Sequence, residues 1–223
     1  MNTIIFDLDG TLFQTEKVAV PAFQETFRRL KEAGEFQGDI PGEEKIYSVF
    51  GLTHQELWQV LLPDAPPILK EKADRYMLQN ELELFRQGKG AIYPGVRETL
   101  VKLHEKGYSL FVASNGAGDY VRTALETEGL TFLFKGIYTA GEYQTEDKSD
   151  LVRILKKDHG ITNGFMVGDR SSDMKAGKEN RLFTVGCRYT GFPQFGKDHE
   201  LDQADAVIHS FKELLQVIEQ AEK

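Results

Sequence analysis

The sequence predicts an α/β protein: a doubly wound parallel sheet with an all-helical domain inserted after its first strand. Three observations predict it. From about residue 92 onward, short apolar runs alternate with helical stretches, the pattern of a parallel sheet covered on both faces. Residues 15–89 are rich in helix formers and charges and poor in strand signals. Ile4, Ile5 and Phe6 form a run apolar on both faces, and a strand of that kind cannot stand alone, so it must join the later ones in a single sheet. The expected division is therefore a core of residues 1–14 and 90–223 and a helical insert of residues 15–89.

Each element has a local reason. The strand at 3–7 ends where Gly10 and Thr11 signal a turn. In the insert, Val18, Ala22, Phe23, Phe27 and Leu30 recur at helical spacing, and Gly34 closes that segment. Thr53 with Glu56 three residues on is a capping-box pattern, leading into Leu57, Trp58, Leu61 and Leu62 before Pro63 stops the helix. Pro66 and Pro67 start another, carrying Leu69, Ala73, Tyr76, Met77, Leu84 and Phe85. Beyond it come helix 95–106, strand 108–114, helix 119–128, strand 136–140, helix 148–159, strand 164–169, helix 172–179, strand 182–186, strand 206–209 and helix 210–221.

Composition narrows the function. With 40% apolar and 28% charged residues the chain is neither disordered nor membrane-embedded in character. A net charge of -8 argues against non-specific nucleic-acid binding, which needs clustered Lys and Arg. The single cysteine, Cys187, rules out an internal disulfide framework and reads as a small buried hydrophobe. No apolar run reaches membrane-spanning length and no basic leader opens the chain, so a cytoplasmic protein is expected, with no membrane and no protein partner.

Polar residues cluster where strands end. In open parallel sheets, ligands bind outside the carboxyl ends of the strands. Asp7 and Asp9 end the first strand, Ser114 and Asn115 in VASNG end the second, Asp169 ends MVGD, and Lys148 opens a helix. Residues two apart in extended chain point to the same side, so Asp7 and Asp9 share one spot while Leu8 turns away. Hard carboxylate oxygens suit Mg2+, which leaves room for a phosphate. Lys148, Ser114, Asn115 and the backbone amides around Gly116 can hold phosphate oxygens. Asp7 can then attack phosphorus while Asp9 protonates the leaving oxygen and later activates water.

These residues carry a resemblance. FDLDGTL (6–12) matches the DxDGT signature of the haloacid dehalogenase superfamily; VASNG (112–116), Lys148 and VGDRSSD (167–173) resemble its second, third and fourth motifs in order. The resemblance implies a Rossmann-like core with a type 1 helical cap and Mg2+-dependent hydrolysis of a small phosphomonoester. It also implies Asp7 as nucleophile and ligand, Asp9 as acid/base and as metal ligand through its carbonyl, Asp169 as ligand, and Asp173 as an outer or water-linked ligand. Lys148 precedes Ser149, where relatives often carry Lys-Pro. The phosphoglycolate phosphatase branch is the leading reading. A phosphomutase of the beta-phosphoglucomutase type and a non-catalytic phospho-ligand binder stay open. In related capped enzymes the loop holding His54 dips into the active site, which makes His54 a candidate specificity residue, set against a plain surface histidine at a helix start. Trp58 reads as cap core and Lys175 as solvated.

Overall fold

A computed structural model describes residues 2–196 and 198–223, with the side chain of His54 also outside the described part. Strand β1 (Thr3–Phe6) is followed by four helices: α1 (Glu16–Glu32), α2 (Glu43–Tyr47), α3 (His54–Leu61) and α4 (Pro67–Arg86). The chain then runs α5 (Val96–Glu105), β2 (Ser109–Ser114), α6 (Gly118–Thr127), a 3-10 turn (Thr131–Leu133), β3 (Phe134–Thr139), α7 (Ala140–Tyr143) and α8 (Lys148–Asp158). It finishes with β4 (Phe165–Gly168), α9 (Ser171–Glu179), β5 (Phe183–Cys187), β6 (Ala206–Ile208), a second 3-10 turn (Phe211–Glu213) and α10 (Leu214–Ala221).

The six strands form one sheet in the order β3-β2-β1-β4-β5-β6, and every pairing is parallel. Alternation along β1 shows both faces covered. Ile4 and Phe6 pack with Leu100, Val121 and Leu214 on one face, whereas Ile5 packs with Leu151, Leu155 and Ala176 on the other. The sheet is thus doubly wound, the Rossmann-like α/β architecture expected from the sequence. Its order reverses between β1 and β4, the position at which such sheets open a crevice.

The inserted helices have their own core of Phe23, Phe27, Trp58, Leu61 and Met77, with Trp58 stacked edge-on to Phe23 at 5.6 Å. Their boundaries follow the sequence signals. Gly34, at φ +72°, lets the Glu35 amide reach the Leu30 carbonyl at 3.0 Å and its own amide reach Lys31 at 2.9 Å, which closes α1. Thr53 and Glu56 form the reciprocal capping box that starts α3, and Pro67 opens α4. Phe195, from the stretch after β5, joins this core against Phe50 at 4.9 Å and Tyr47 at 5.6 Å.

Several boundaries differ from the sequence expectation. Strand β3 starts at Phe134 rather than residue 136, because Phe134 pairs with Leu110 across a register shift that the alternation of side chains cannot reveal. The last helix begins with a 3-10 turn at Phe211. Helices α2 and α7, of five and four residues, lack the repeated apolar spacing that announces longer helices. No described helix is long and apolar enough to cross a membrane.

Candidate active site

The carboxyl ends of β1, β2 and β4 bring the motif residues together. Phe6 is level with Val167, so Asp7 lies beside the turn that carries Asp169. Oxygens of Asp7, Asp169 and Asp173 lie within 4.8 Å of one another. Lys148 Nζ, at the first turn of α8, lies 2.9 Å from Asp7 Oδ1 and donates to Asp173 Oδ1 at 2.6 Å. The second Asp173 oxygen accepts from the Arg170 amide at 3.0 Å, tying the carboxylate to the start of α9. Asp173 is fully buried and Lys148 nearly so, which makes this a desolvated cluster and not a surface ion pair.

Two glycines make the cluster possible. A Cβ on Gly10, which sits at φ +73°, would stand 2.3 Å from an Asp169 oxygen. A Cβ on Gly168 would stand 2.2 Å from the Asp173 carboxyl carbon. Both carboxylates occupy space that any larger residue would fill.

Electrostatics follow from burial and like charge. Burial, chiefly, pushes the Asp7 carboxyl up to about 7, against the pull of Lys148 and with help from Asp173 and Asp9. Asp169 is held well above the usual carboxylate range by burial, then by Asp173 and Asp7. Burial alone would lower the Lys148 ammonium, but Asp173 and Asp7 outweigh it and hold it above its ordinary value. Three buried carboxylates facing one lysine leave an excess of negative charge that a divalent cation would offset. The residues therefore fit a divalent metal: hard oxygen donors, close enough to share one ion.

Asp9 lies on the same cleft, outside the cluster of Asp7, Asp169 and Asp173. Its Oδ1 accepts from Thr15 Oγ1 and from Tyr120 Oη, both at 2.7 Å. Leu8 points away into the sheet core, as the alternation requires. Ser114 Oγ accepts from the Gly116 amide at 3.0 Å, which shapes the turn after β2. Asn115 Nδ2 reaches across to the Gly51 carbonyl at 3.1 Å, and its buried Oδ1 has no hydrogen-bond partner among the described residues. Lys148 starts its helix without proline: the Ser149 amide donates to the Asp147 side chain at 2.7 Å, and Asp147 caps the helix.

Asp7, Asp9, Ser114, Asn115 and Lys148 all line one cleft of about 650 Å³, counting the solvent at its mouth. Asp169 and Asp173 gather beside Asp7, and Asp169 faces a neighbouring cavity together with Gly10, Tyr93 and Tyr189. His54 opens α3, and its side chain lies outside the described residues. Lys175 is half-exposed and pairs with Asp147, Cys187 is buried in the sheet core, and Trp58 belongs to the helical core while donating to Asp74 at 2.8 Å. Sequence reasoning passed over Thr15 and Tyr120 as partners of Asp9, and Asp74 and Glu81 in the cleft wall. Glu81 had a visible mark: it interrupts the apolar stripe Ala73, Met77, Phe85 on α4.

Residues 4–187 match the model of the haloacid dehalogenase-like hydrolase family. The chain belongs to that family. It is an enzyme of the hydrolase type, and all four motifs lie within the matched segment. A pyrophosphatase PpaX of Listeria monocytogenes is 24% identical over 227 residues, covering 100% of this chain and 98% of that protein. A phosphoglycolate phosphatase of Vibrio vulnificus is 29% identical over 228 residues, covering 98% and 96%. The crystal structure of a beta-phosphoglucomutase of Clostridium difficile superposes with a TM-score of 0.78 at 17% identity, covering 99% of this chain and 96% of that one, a likeness of fold.

Proposed function

We propose that this hydrolase is a Mg2+-dependent phosphatase that cleaves a small phosphomonoester through an aspartyl-phosphate on Asp7, with residues 15–89 acting as a helical cap over the cleft. The observation that carries the reading is the buried cluster of Asp7, Asp169, Asp173 and Lys148 at the open end of the sheet. The names borne by relatives across the whole chain, phosphoglycolate phosphatase and pyrophosphatase, support the same class of reaction.

Asp7, Asp169 and Asp173 would hold the metal; when bound, Mg2+ supplies positive charge that offsets these carboxylates and the oxygens of the phosphate. Lys148 fixes one oxygen of Asp7 and so sets the direction of the carboxylate. An Asp7 oxygen attacks phosphorus, the bond from phosphorus to the leaving oxygen breaks, and Asp9 gives that oxygen its proton. Asp9 then takes a proton from water, whose oxygen attacks the aspartyl-phosphate, releasing inorganic phosphate and restoring Asp7. Thr15 and Tyr120 hold the Asp9 carboxylate in place for both transfers. Ser114 and the amides of its turn receive the phosphate oxygens.

Acid-quenched enzyme, digested and analysed by peptide mass spectrometry after mixing with substrate and Mg2+, should carry phosphate on Asp7. Asp7→Asn should lose both the adduct and phosphate release while keeping the melting profile of the parent. Steady turnover by Asp7→Asn, or isomerisation of a hexose phosphate in place of phosphate release, would overturn the reading.

A further inference from the structure

The wall of the cleft opposite Asp7 is built by the inserted helices. Ala19 and Phe23 of α1, Val49 and Phe50 beyond α2, and Met77 of α4 make it apolar, while Asp74 and Glu81 of α4 add two carboxyls. Among the described residues lining the cleft, Lys148 is the one Lys or Arg, and it is engaged by Asp7 and Asp173. Glu81 is only 6% exposed, and no described residue gives it a hydrogen bond or an ion pair. A helix stripe that reads Ala73, Met77, Glu81, Phe85 is buried along its length, so packing alone calls for an apolar side chain at position 81. The Glu81 oxygens are not sealed off from solvent: they open onto the cleft, where a donor on a ligand could pair with them.

We infer that Glu81 is a specificity-determining residue: the substrate is a phosphomonoester whose leaving group has an apolar body, carries no second negative charge, and offers Glu81 a hydroxyl or amine donor. This inference rests on the phosphatase reading and names the substrate class for that site. A leaving group ending in carboxylate or phosphate would meet Asp9 and Asp74, and among the described residues lining the cleft the one Lys or Arg is Lys148, already engaged by Asp7 and Asp173. A hydroxyl or ammonium group would instead satisfy Glu81 while its carbon chain lies against Phe23 and Met77. Burial, then Asp9 and Asp74, holds the Glu81 carboxyl well above its ordinary value. In either charge state it offers acceptor oxygens and no positive charge.

The test is a kcat/KM panel on the full chain with Mg2+, using propyl, hydroxypropyl and aminopropyl phosphate beside phosphoglycolate and pyrophosphate. The parent should favour hydroxypropyl or aminopropyl phosphate over both anionic compounds by about 100-fold, equivalent to about 2.7 kcal/mol. The hydroxypropyl and aminopropyl arms distinguish an alcohol from an amine. Glu81→Gln should cut the advantage of the donor-bearing ester over propyl phosphate about tenfold, mainly through KM, and Glu81→Lys should shift preference toward phosphoglycolate. Ratios between substrates are read on one preparation, so a loss of folded enzyme does not mimic the effect. Should the lysine variant not fold, the parent panel and Glu81→Gln still decide. Preference of the parent for phosphoglycolate or pyrophosphate, or ratios unmoved by Glu81→Gln, would overturn the inference and leave the phosphatase reading standing. Failure to turn over any of these esters would overturn both.

Discussion

Replacing Lys148 by methionine keeps the side chain's approximate volume and removes its charge. Asp7 and Asp173 would then face each other and Asp169 in a space that solvent scarcely reaches, having lost contacts of 2.9 and 2.6 Å. Removing one partner of a buried ion pair costs about 3–5 kcal/mol, because the remaining charge stays desolvated. At about 2–4 °C per kcal/mol for a chain of this size, the melting temperature should fall by roughly 6–20 °C. The penalty should depend on pH. Lys148 is held above its ordinary value, so its contribution is fully present below the unfolded lysine value and is lost only as pH rises through the higher folded one. Near neutrality it is therefore not the titrating group. Asp7 is raised from 3.8 to about 7 by burial in the presence of Lys148, and loss of Lys148 raises it further. Between unfolded and folded values the native state binds the extra proton, so stability rises as pH falls through that window. Urea denaturation of metal-free protein should accordingly show the full penalty near about pH 8 and a smaller one near about pH 5.5. A loss below about 1 kcal/mol near pH 8, or a penalty that grows on acidification, would refute the account of Lys148 as the buried counter-charge.

Gly168→Ala would drive a methyl group to 2.2 Å from the Asp173 carboxyl carbon, so calorimetry should show weakened Mg2+ binding and melting should show a lower midpoint. Tyr120→Phe removes a 2.7 Å bond to Asp9; hydrogen bonds to charged groups contribute about 1.5–3 kcal/mol, so rapid-quench kinetics should show slower formation and slower hydrolysis of the phosphoenzyme. Away from the site, burial alone would raise Asp205, but Lys178 and the amide and hydroxyl of Thr184 outweigh it and hold the carboxyl below its ordinary value. Its contribution is thus present above the unfolded value and lost as pH falls through the folded one, so Asp205→Asn should lower stability by about 1 kcal/mol at neutral pH and by less in acid, as measured by denaturation.

Much of this was legible in the sequence, for reasons that differ by element. The core strands announced themselves because a parallel strand covered on both faces must be apolar throughout, as Ile4 to Phe6 and Phe165 to Val167 are. The capping box at Thr53 and the close of α1 at Gly34 are local devices, readable within a few residues. Asp7, Asp9 and Asp169 stood out because carboxylates at the ends of apolar runs conflict with packing unless they have chemistry to perform. Tyr120 could not be read in the same way. It lies in the first turn of α6, and nothing near it in the chain tells that its hydroxyl reaches Asp9. Asn115 likewise meets Gly51 across a gap that only the placement of the inserted helices creates. Contacts between distant segments depend on how elements are set against each other, and one-dimensional spacing does not carry that.

The central position of β1 has a consequence for how the molecule comes into being. Ile4 pairs with Leu110 on one flank and Phe165 on the other, so β1 cannot complete its pairing until strands far along the chain have been made. At a synthesis speed of about 5–20 residues per second, the residue assigned the covalent chemistry leaves the ribosome several seconds before the lysine and carboxylates that surround it. A translation product that stops before β4 thus holds Asp7 and Lys148 without Asp169 and Asp173. The carboxylate cluster at the sheet's open end is therefore assembled only once β4 and the start of α9 have been made.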